Sequence, residues 1–316
     1  MTALPAFPPL WQRGVCPLLS LDGEAGHALP QLNALLDEHG ALLLRGYGVA
    51  SPEALARARA SLGADAMAYV EGNSPRSKLS AENVYTSTEY PAEAFISLHN
   101  ELSYAASWPA RLYFCCVTPA ETGGHTLLAS SAAIHDGLPP EVRDAFERHG
   151  VLYIRNLHGG DGFGFGPSWQ STFETDRRAD VDAWCAANGI EQEWRDGNTL
   201  RLVTRRPAIA THPATGRRVW FNQADQFHPS TNSPDVLEAL TEIFGEDPFS
   251  FPQYACLGDG RAIDDGMLAR IREVTERHTV RFDWQAGDCL VIDNMLMSHG
   301  RSPFTGARRI LVSMSR

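Results

Sequence analysis

The stretch SLHNELSYA, residues 97–105, places His99 and Glu101 two positions apart. Alternate residues of a β-strand point to the same face, so an imidazole and a carboxylate would lie side by side here. A second histidine, His299, ends an apolar strand in NMLMSHGRSP near the C-terminus. Two histidines and one carboxylate form the facial triad that binds non-haem iron(II) and leaves other coordination positions open. Taken alone, the His-x-Glu spacing is more typical of an ordinary ion pair, so this prediction depends on the rest of the sequence.

Composition and charge exclude several classes of function. The 316 residues are 43% hydrophobic and 21% charged, as in ordinary globular proteins. The formal net charge of -11 argues against a nucleic-acid-binding protein, which needs a basic surface. The N-terminal MTALPAFPPLWQRGV has no apolar core, so we expect no signal peptide, and no apolar run is long enough to cross a membrane.

The cysteines are consistent with a reducing compartment. No CxxC pair occurs, and two of the cysteines are adjacent in an apolar run. We therefore expect reduced core cysteines in a cytoplasmic protein. The six cysteines are Cys16, Cys115, Cys116, Cys185, Cys256 and Cys289.

Hydrophobic periodicity predicts many short strands and a minority of helices. Helical spacing with capping residues indicates N-terminal helical elements at about 27–63. A short apolar strand is predicted at 41–49, and strand patterns recur from 110–117 to the C-terminus, without the regular alternation with helices that a Rossmann or TIM fold requires. The pattern favours a β-sandwich or jelly roll with added helices. We find no composition break, so residues 1–316 are predicted to form a single domain.

Two irregular segments are candidate lids over a site. Residues 64–98 are rich in Gly, Asn, Ser and Pro, and residues 158–169 contain HGGDGFGFG. The glycines of the second segment lack the spacing of a dinucleotide-binding loop, and no helix follows them. Its aromatic residues, including Phe165, could close over a pocket, and Phe165 is a candidate substrate contact.

Five segments, in order from Ala41 to the C-terminus, carry a resemblance to a known family. They are ALLLRGYG, SLHNELSY, PAETGGHTLLAS, PAIATHPATGRRVWFN and AGDCLVIDNMLMSHGRSPFTGARRI. With these segments the chain resembles the TauD/TfdA-like family of iron(II)- and 2-oxoglutarate-dependent dioxygenases. The HNE and VWFNQ forms are most similar to the syringomycin-type and clavaminate-synthase-like amino-acid hydroxylases. The resemblance implies a mainly β fold, a double-stranded β-helix (jelly roll) with added helices on the outside and a core at about 95–316.

The resemblance also implies which residues bind the cofactors. His99, Glu101 and His299 match the iron(II) ligands. Thr126 and Arg309 match the residues that bind the distal carboxylate of 2-oxoglutarate, and a guanidinium and a hydroxyl suit that carboxylate chemically. The resemblance also implies that molecular oxygen is a reactant, together with 2-oxoglutarate and the substrate.

The C-terminal strand also bears on the substrate. We expect Arg308 to point away from the site into solvent, because neighbours on a strand face opposite sides. Some relatives carry a second arginine, for the acid group of the substrate, four residues after the first. Ser313 occupies that position here, which favours a substrate whose carboxylate is masked, for example as a thioester on a carrier protein.

The function that the resemblance implies is hydroxylation of an unactivated C–H bond, with release of succinate and carbon dioxide. The substrate would be an amino acid or an aminoacyl group, and Asn83, Asn222 and Gln223 are candidate contacts. Glu101 fills the position that halide occupies in related halogenases, so hydroxylation or desaturation is favoured over chlorination. The alternatives are a desaturase, a non-catalytic jelly-roll metal-binding protein and a zinc hydrolase. The oligomeric state is not assigned.

Overall fold

The computed structural model describes residues 29–45, 48–160 and 165–316, with the backbone alone for residues 29–31. Cys16, the start of the helix predicted at 27, and residues 161–164 of the second candidate lid lie outside the described residues. The described helices are α1 Leu29–His39, α2 Pro52–Ser61, α3 Ser131–Gly137, α4 Pro140–His149, α5 Trp169–Phe173, α6 Arg178–Asn188, α7 Ala224–Phe227, α8 Pro234–Phe244 and α9 Asp265–Arg277.

Short strands make up most of the remaining regular structure. They are β1 Ala41–Leu44, β2 Lys78–Ser80, β3 Val84–Thr86, β4 Ile96–His99, β5 Arg111–Thr118, β6 Thr122–Gly123, β7 Thr126–Ser130, β8 Val151–Leu157, β9 Glu191–Arg195, β10 Thr199–Arg206, β11 Ile209–Thr211, β12 Arg218–Trp220, β13 Gln253–Leu257, β14 Val280–Arg281, β15 Cys289–Asp293, β16 Met297–Arg301, β17 Phe304–Thr305 and β18 Arg309–Ser315. The prediction of a sheet-rich chain with added helices is confirmed.

The strands form antiparallel sheets whose order mixes distant parts of the sequence. A six-stranded sheet has the order β1-β15-β5-β18-β3-β2, and a four-stranded sheet has the order β14-β7-β16-β4. A second four-stranded sheet, β13-β8-β10-β9, is built from the segment between β7 and β14, and two hairpin-like pairs, β11-β12 and β17-β6, complete the set. Neighbouring strands far apart in sequence bring the two ends of the chain together around one core.

The central strand β5 is buried on both faces, which explains its continuous apolar sequence RLYFCCV. Phe114 and Cys116 pack into the main core together with Leu128 of the four-stranded sheet. Tyr113 and Cys115 point the other way, into a second cluster with leucines of α1 and α2. The six-stranded sheet is thus covered by helices on one face and shares its other face with the four-stranded sheet.

Local sequence signals set the helix boundaries. Ser51 caps α2, since its side chain accepts a hydrogen bond from the N–H of Ala54 at 3.2 Å, and Pro52 occupies the first turn. Asp264 and Ser233 cap α9 and α8 in the same way. Helix α2 then packs on β18 and holds the outer face of the sheet.

The segment 64–98 is more ordered than its sequence predicts. Residues 78–86 form β2 and β3, and β3 pairs with β18 at the edge of the six-stranded sheet. The five cysteines in the described residues are free and buried, as expected. Within the same part of the chain, no helix combines the length and hydrophobicity that crossing a membrane requires.

Candidate metal centre

Three predicted ligands meet between neighbouring strands of the four-stranded sheet. His99 on β4 lies directly opposite His299 on β16, and their ring centroids are 4.4 Å apart. The Oε2 atom of Glu101 is 3.8 Å from the Nε2 atom of His299. One potential ligand atom from each residue lies within 4.8 Å of the other two, and all three residues are buried. Each strand thus contributes one imidazole, and the carboxylate completes the cluster.

Glu101 reaches this position from a turn, not from the strand. Strand β4 ends at His99, and a turn begins at Glu101. The side chain of Asn294 holds the backbone of Glu101 at both ends: its Oδ1 accepts from the Glu101 N–H at 2.8 Å, and its Nδ2 donates to the Glu101 carbonyl at 2.9 Å. Asn100 donates to the Asn294 carbonyl at 2.6 Å. The turn is therefore fixed to the segment that leads into β16.

The histidines have the protonation that a metal ligand needs. The Nδ1 of His99 lies 2.8 Å from the carbonyl of Ser97, a contact that places the proton on Nδ1 and leaves Nε2 free to bind a metal. Burial lowers the pKa of His99, although Glu101 opposes this effect. Burial, His99 and Arg76 together lower the pKa of His299 well below its ordinary value. Both imidazoles are therefore neutral near pH 7.

The donor set fits a divalent metal of the first transition series. Two neutral imidazoles and one carboxylate give the two-histidine, one-carboxylate set of non-haem iron(II) oxygenases, and no fourth protein ligand adjoins them in the described residues. A structural zinc site would instead use four protein ligands in a closed tetrahedron. The Nδ1 of His299 is buried without a hydrogen-bond partner, so that ring is held by packing on Phe114 and His99.

The carboxylate of Glu101 is also covered from the segment 64–98. The Tyr69 hydroxyl donates to Oε1 at 3.2 Å, and Arg76 donates from one terminal nitrogen to Oε2 at 2.5 Å. The Arg76 guanidinium stacks over the Tyr69 ring, 4.5 Å from its centroid. Burial alone would lower the pKa of Arg76, but Glu101 and Tyr69 outweigh it and raise that pKa. The side chains of Arg76 and Glu101 are only 2% and 4% exposed.

A small cavity of about 20 Å³ joins the histidines to a second polar cluster. Thr126 and Arg308 lie at that cluster, and the Trp284 indole N–H donates to the Thr126 hydroxyl at 3.1 Å. In the described residues, the one hydrogen bond of the Arg308 guanidinium is from Nε to the Gly124 carbonyl, at 3.0 Å. Burial and the neighbouring Arg301 lower the pKa of Arg308 to about 10. A buried guanidinium without a carboxylate partner is suited to an anionic ligand.

Comparison with known proteins assigns the chain to a family. The sequence model described as "Taurine catabolism dioxygenase TauD, TfdA family" matches residues 18–315. The chain belongs to this family. It is an iron(II)- and 2-oxoglutarate-dependent oxygenase, and its cofactors are Fe(II), 2-oxoglutarate and oxygen, as the sequence predicted.

Two curated relatives cover most of the chain. The dapdiamide synthesis protein DdaC of Enterobacter agglomerans is 34% identical over 283 residues, which are 90% of this chain and 84% of the relative. A clavaminate synthase-like protein of Arabidopsis thaliana is 30% identical over 292 residues, with the same coverage of 90% and 84%. Both relatives therefore align with nearly the whole oxygenase chain.

Solved structures support the fold. A taurine dioxygenase from Burkholderia xenovorans superposes with a TM-score of 0.52 at 16% identity, covering 99% of this chain and 87% of that one. AAD-2, solved in complex with Mn(II) and N-oxalylglycine, gives a TM-score of 0.53 at 14% identity, covering 94% of this chain and 90% of that one. At these identities the likeness concerns the fold alone.

The arginine predicted for 2-oxoglutarate is the wrong one of an adjacent pair. Arg309 is exposed, whereas Arg308 lines the cavity with Thr126. The reason is the phase of β18: Ile310 and Val312 pack into the main core, so even-numbered residues face inward. The expectation that Arg308 points to solvent is reversed accordingly.

Because even-numbered residues of this segment face inward, the position that corresponds to the second arginine of some relatives also shifts by one residue. Ser313 faces α2, where Arg59 donates to its hydroxyl at 2.7 Å, and does not face the cavity. The four-residue step taken from Arg308 leads to Val312, which is fully buried in the main core. A second arginine is therefore absent from this strand position, as predicted, and the residue that replaces it is Val312 and not Ser313.

Two candidate substrate contacts lie away from the metal centre. Asn83 occupies the turn between β2 and β3 with a φ of 56°, and its carbonyl accepts from the Ser313 hydroxyl on the α2 side of the sheet. Phe165 packs edge-on against Phe244, with centroids 6.1 Å apart, beside a separate cavity of about 320 Å³. Neither residue lines the cavity of the triad, which corrects both predictions.

The other two candidates line a second cavity beside the sheet that carries the histidines. Asn222 and Gln223 line a cavity of about 600 Å³ together with Leu98 and Ser298. Leu98 and Ser298 adjoin the two histidine ligands in sequence, and Gln226 of the same cavity lies with its Nε2 3.4 Å from the Nδ1 of His99. Asn222 donates to the Ala208 carbonyl at 2.9 Å, in a structural role. That these two residues contact the substrate stays a prediction.

Several residues of the site were not predicted from the sequence. Arg76 and Tyr69 come from the candidate lid 64–98, whose sequence did not indicate which of its residues contact Glu101. Asn294 had a detectable signal, because a polar residue inside the apolar run CLVIDNMLM needs hydrogen-bond partners when it is buried. The pattern did not reveal that those partners would be the backbone of a metal ligand.

Proposed function

We propose that this oxygenase hydroxylates an unactivated C–H bond of an amino acid or aminoacyl substrate in natural-product biosynthesis. The observation that carries the proposal is one cavity lined by the two histidines of the triad and by the guanidinium of Arg308, which has no carboxylate partner in the described residues. Glu101 completes the triad beside this cavity. The similarity to a dapdiamide synthesis protein favours a biosynthetic role over sulfonate breakdown. Glu101 fills the third ligand position, which favours hydroxylation over halogenation.

Each group in the cavity has a separate task. The two imidazoles and the Glu101 carboxylate would hold Fe(II), while Arg308 and the Thr126 hydroxyl would bind the distal carboxylate of 2-oxoglutarate. When bound, the iron and its cosubstrate supply the oxidation: oxygen converts 2-oxoglutarate to succinate and carbon dioxide, and the second oxygen atom enters the C–H bond of the substrate. Arg308 orients the cosubstrate, and the Trp284 indole N–H orients the Thr126 hydroxyl.

The segment 64–98 serves as the cover of the site in this proposal. Tyr69 and Arg76 lie against the triad, and Ser87 and Thr88 line the same cavity. Exclusion of water until the substrate is in place is the purpose of such a cover. We do not extend this role to residues 158–169, because Phe165 lies beside a different cavity.

The architecture is proposed to be a double-stranded β-helix, or jelly roll. The six-stranded sheet and the first four-stranded sheet share one core and enclose the triad, which supports this arrangement. The second four-stranded sheet and most helices would then be additions between β7 and β14. We propose one domain over 1–316, with the core at 95–316.

The substrate is proposed to reach the enzyme either free or attached to a carrier protein. Val312 offers no charge where some relatives have a second arginine, which favours a carboxylate masked as a thioester. The cofactor requirement is tested first: anaerobic addition of Fe(II) and 2-oxoglutarate should produce the weak visible metal-to-ligand band. Absence of the band, together with activity that requires only zinc, would favour the zinc hydrolase.

The substrate class needs a separate experiment. A panel of free amino acids and carrier-tethered aminoacyl thioesters is incubated with the enzyme in the presence of Fe(II), 2-oxoglutarate and oxygen. The masses of the products are then measured by mass spectrometry. Gain of one oxygen atom indicates hydroxylation, whereas loss of two hydrogen atoms indicates the desaturase. If no succinate forms with any member of the panel, and none forms without substrate, the result would support the non-catalytic metal-binding protein.

A further inference from the structure

The cavity of the triad has a guanidinium at each end. Arg308 lies at the Thr126 end, and Arg76 lies at the Glu101 end. We propose that Arg76 binds the metal-side carboxylate of 2-oxoglutarate, so that the two carboxylates of the cosubstrate lie between two arginines. This inference rests on the proposed function, because it needs the cavity, about 20 Å³ in this structure, to widen and admit 2-oxoglutarate.

Arg76 has unused hydrogen-bonding capacity in a place that water does not reach. Its side chain is 2% exposed, and one terminal nitrogen donates to Glu101 Oε2. Its Nε and its other terminal nitrogen, Nη1, are buried without a partner in the described residues. A guanidinium whose sole role is to hold a carboxylate normally does so with two parallel bonds. The unpaired nitrogens therefore indicate that a further acceptor joins this site.

The charge balance changes when a metal binds. The oxygen that Arg76 contacts is the Glu101 oxygen nearest to His299 Nε2, at 3.8 Å, so a metal at the triad and the guanidinium compete for the same atom. A divalent cation and a guanidinium on one oxygen repel each other strongly in a buried site. An additional anion at the metal would relieve this repulsion, and the keto-acid end of 2-oxoglutarate brings one.

The other arginine near the site is already engaged. Arg301 donates to the carbonyls of Tyr90, Pro91 and Ala94 and so fastens the segment 64–98 to β16. Arg76 and Arg308 are then the two cavity arginines whose terminal nitrogens are free for a ligand, in the part of the chain that the structure describes. A dicarboxylate matches this pair in charge and in number of groups.

The test measures binding without turnover. The Mn(II)-loaded protein is titrated with 2-oxoglutarate and with 2-oxopentanoate, which has the same keto-acid end but lacks the distal carboxylate. The variants are Arg76→Leu, Arg308→Leu and, as a matched control, the exposed Arg309→Leu. Arg76→Gln is included because it keeps a polar side chain in the buried position, and thermal melts check that every variant is folded.

The two ligands separate the two arginines. We expect Arg308→Leu to weaken 2-oxoglutarate about 10- to 100-fold, the usual worth of a charged hydrogen bond, while leaving 2-oxopentanoate nearly unchanged. We expect Arg76→Leu and Arg76→Gln to weaken both ligands by at least about tenfold, because the lost contact is at the end that both share. Arg309→Leu should change neither dissociation constant.

Other outcomes would overturn the inference. If the Arg76 variants bind both ligands as wild type does, the guanidinium serves the structure or the carboxylate of the substrate instead. If they lose Mn(II) itself, Arg76 positions Glu101 and does not bind the cosubstrate. Failure of the wild-type protein to bind 2-oxoglutarate, or indifference to Arg308→Leu, would count against the proposed function and is a distinguishable result.

Discussion

Asn294 holds the main chain of Glu101 from both sides, accepting from its N–H at 2.8 Å and donating to its carbonyl at 2.9 Å. The same amide nitrogen also donates to the Pro109 carbonyl at 2.9 Å. Asn294 is fully buried, so no water replaces these bonds. The position of one metal ligand thus depends on a residue nearly two hundred positions away that does not touch the metal.

Replacement of Asn294 by alanine should therefore damage both stability and metal binding. Each buried backbone group left without a partner costs about 1–3 kcal/mol. Urea denaturation should show this loss, and the dissociation constant for Mn(II) should rise because Glu101 is no longer fixed. Asn232→Ala, in a surface loop, is the matched control. Unchanged Mn(II) affinity in a destabilised Asn294→Ala protein would show that the turn holds Glu101 by itself.

Adjacent arginines at the start of β18 should behave in opposite ways. Arg308→Leu is expected to raise the KM for 2-oxoglutarate about 10- to 100-fold, since a charged hydrogen bond is lost. Arg309→Leu, at the exposed position, should stay within about twofold of wild type. Steady-state kinetics with 2-oxoglutarate as the varied reactant decides between them. A large effect at Arg309 alone would restore the assignment made from the sequence.

Either histidine of the triad should be indispensable for the iron complex. We expect His99→Ala and His299→Ala to abolish the visible band of the anaerobic complex of iron and 2-oxoglutarate, because two protein ligands hold the metal poorly. His149→Ala, a partly exposed histidine paired with Asp259, is the control. Retention of the band in one variant would remove that residue from the triad.

The metal-free protein should become less stable as the pH falls below about 6.5. Burial keeps the pKa of His99 and of His299 below the ordinary value in the folded state, while the unfolded chain takes up protons near pH 6.5. The unfolded state then binds more protons, so the free energy of unfolding falls by up to about 1.4 kcal/mol per pH unit for each group. Above that pH this contribution is complete and constant.

Urea denaturation at several pH values, in the presence of a chelator, measures this effect. The double variant His99→Leu, His299→Leu should show a flatter dependence on pH than wild type, whereas the non-titrating control Asn232→Ala should follow wild type. His228, whose pKa burial also lowers, contributes equally to all three proteins and cancels in the comparison. Parallel pH curves for wild type and the double variant would mean that the two rings do not resist protonation.

The triad could be predicted because its chemistry is explicit in the residue types. A His-x-Glu pair and a distant His-Gly within matching motifs identified His99, Glu101 and His299, and the structure brings them together. The stated reason was partly wrong, since Glu101 follows the end of β4 and Asn294 fixes it there. A prediction from residue types stays valid when the local backbone differs, whereas a prediction from strand alternation does not.

The arginine could not be assigned from the pattern because β18 is apolar on both faces. Alternation shows which face is buried only when one face is polar, and the residues from Ile310 to Met314 are buried throughout. The phase became evident from the partners, with Val312 in the main core and Leu311 in the cluster beneath α2. Burial on two sides therefore hides the direction of every side chain in the strand, including the functional one.

The residues that contact the substrate could not be assigned from the sequence for a different reason. Asn222 and Gln223 are near the histidines in space, but they line a separate cavity. Proximity to a motif in the sequence does not specify the face of a sheet. Arg76 and Tyr69 were missed because their segment has no periodicity, and their contacts with Glu101 are long-range. Such contacts depend on the path of the backbone, which composition does not determine.

The stretch that covers Glu101 is anchored at both ends. Glu71 is fixed by the Tyr104 hydroxyl, which donates to its carbonyl at 2.7 Å, and Lys78 begins the strand that joins the six-stranded sheet. A movement of this stretch that keeps both anchors is restricted to residues 72–77, which include Arg76 but not Tyr69. Such a movement would withdraw the positive charge of Arg76 from Glu101 while the Tyr69 hydroxyl stays in place.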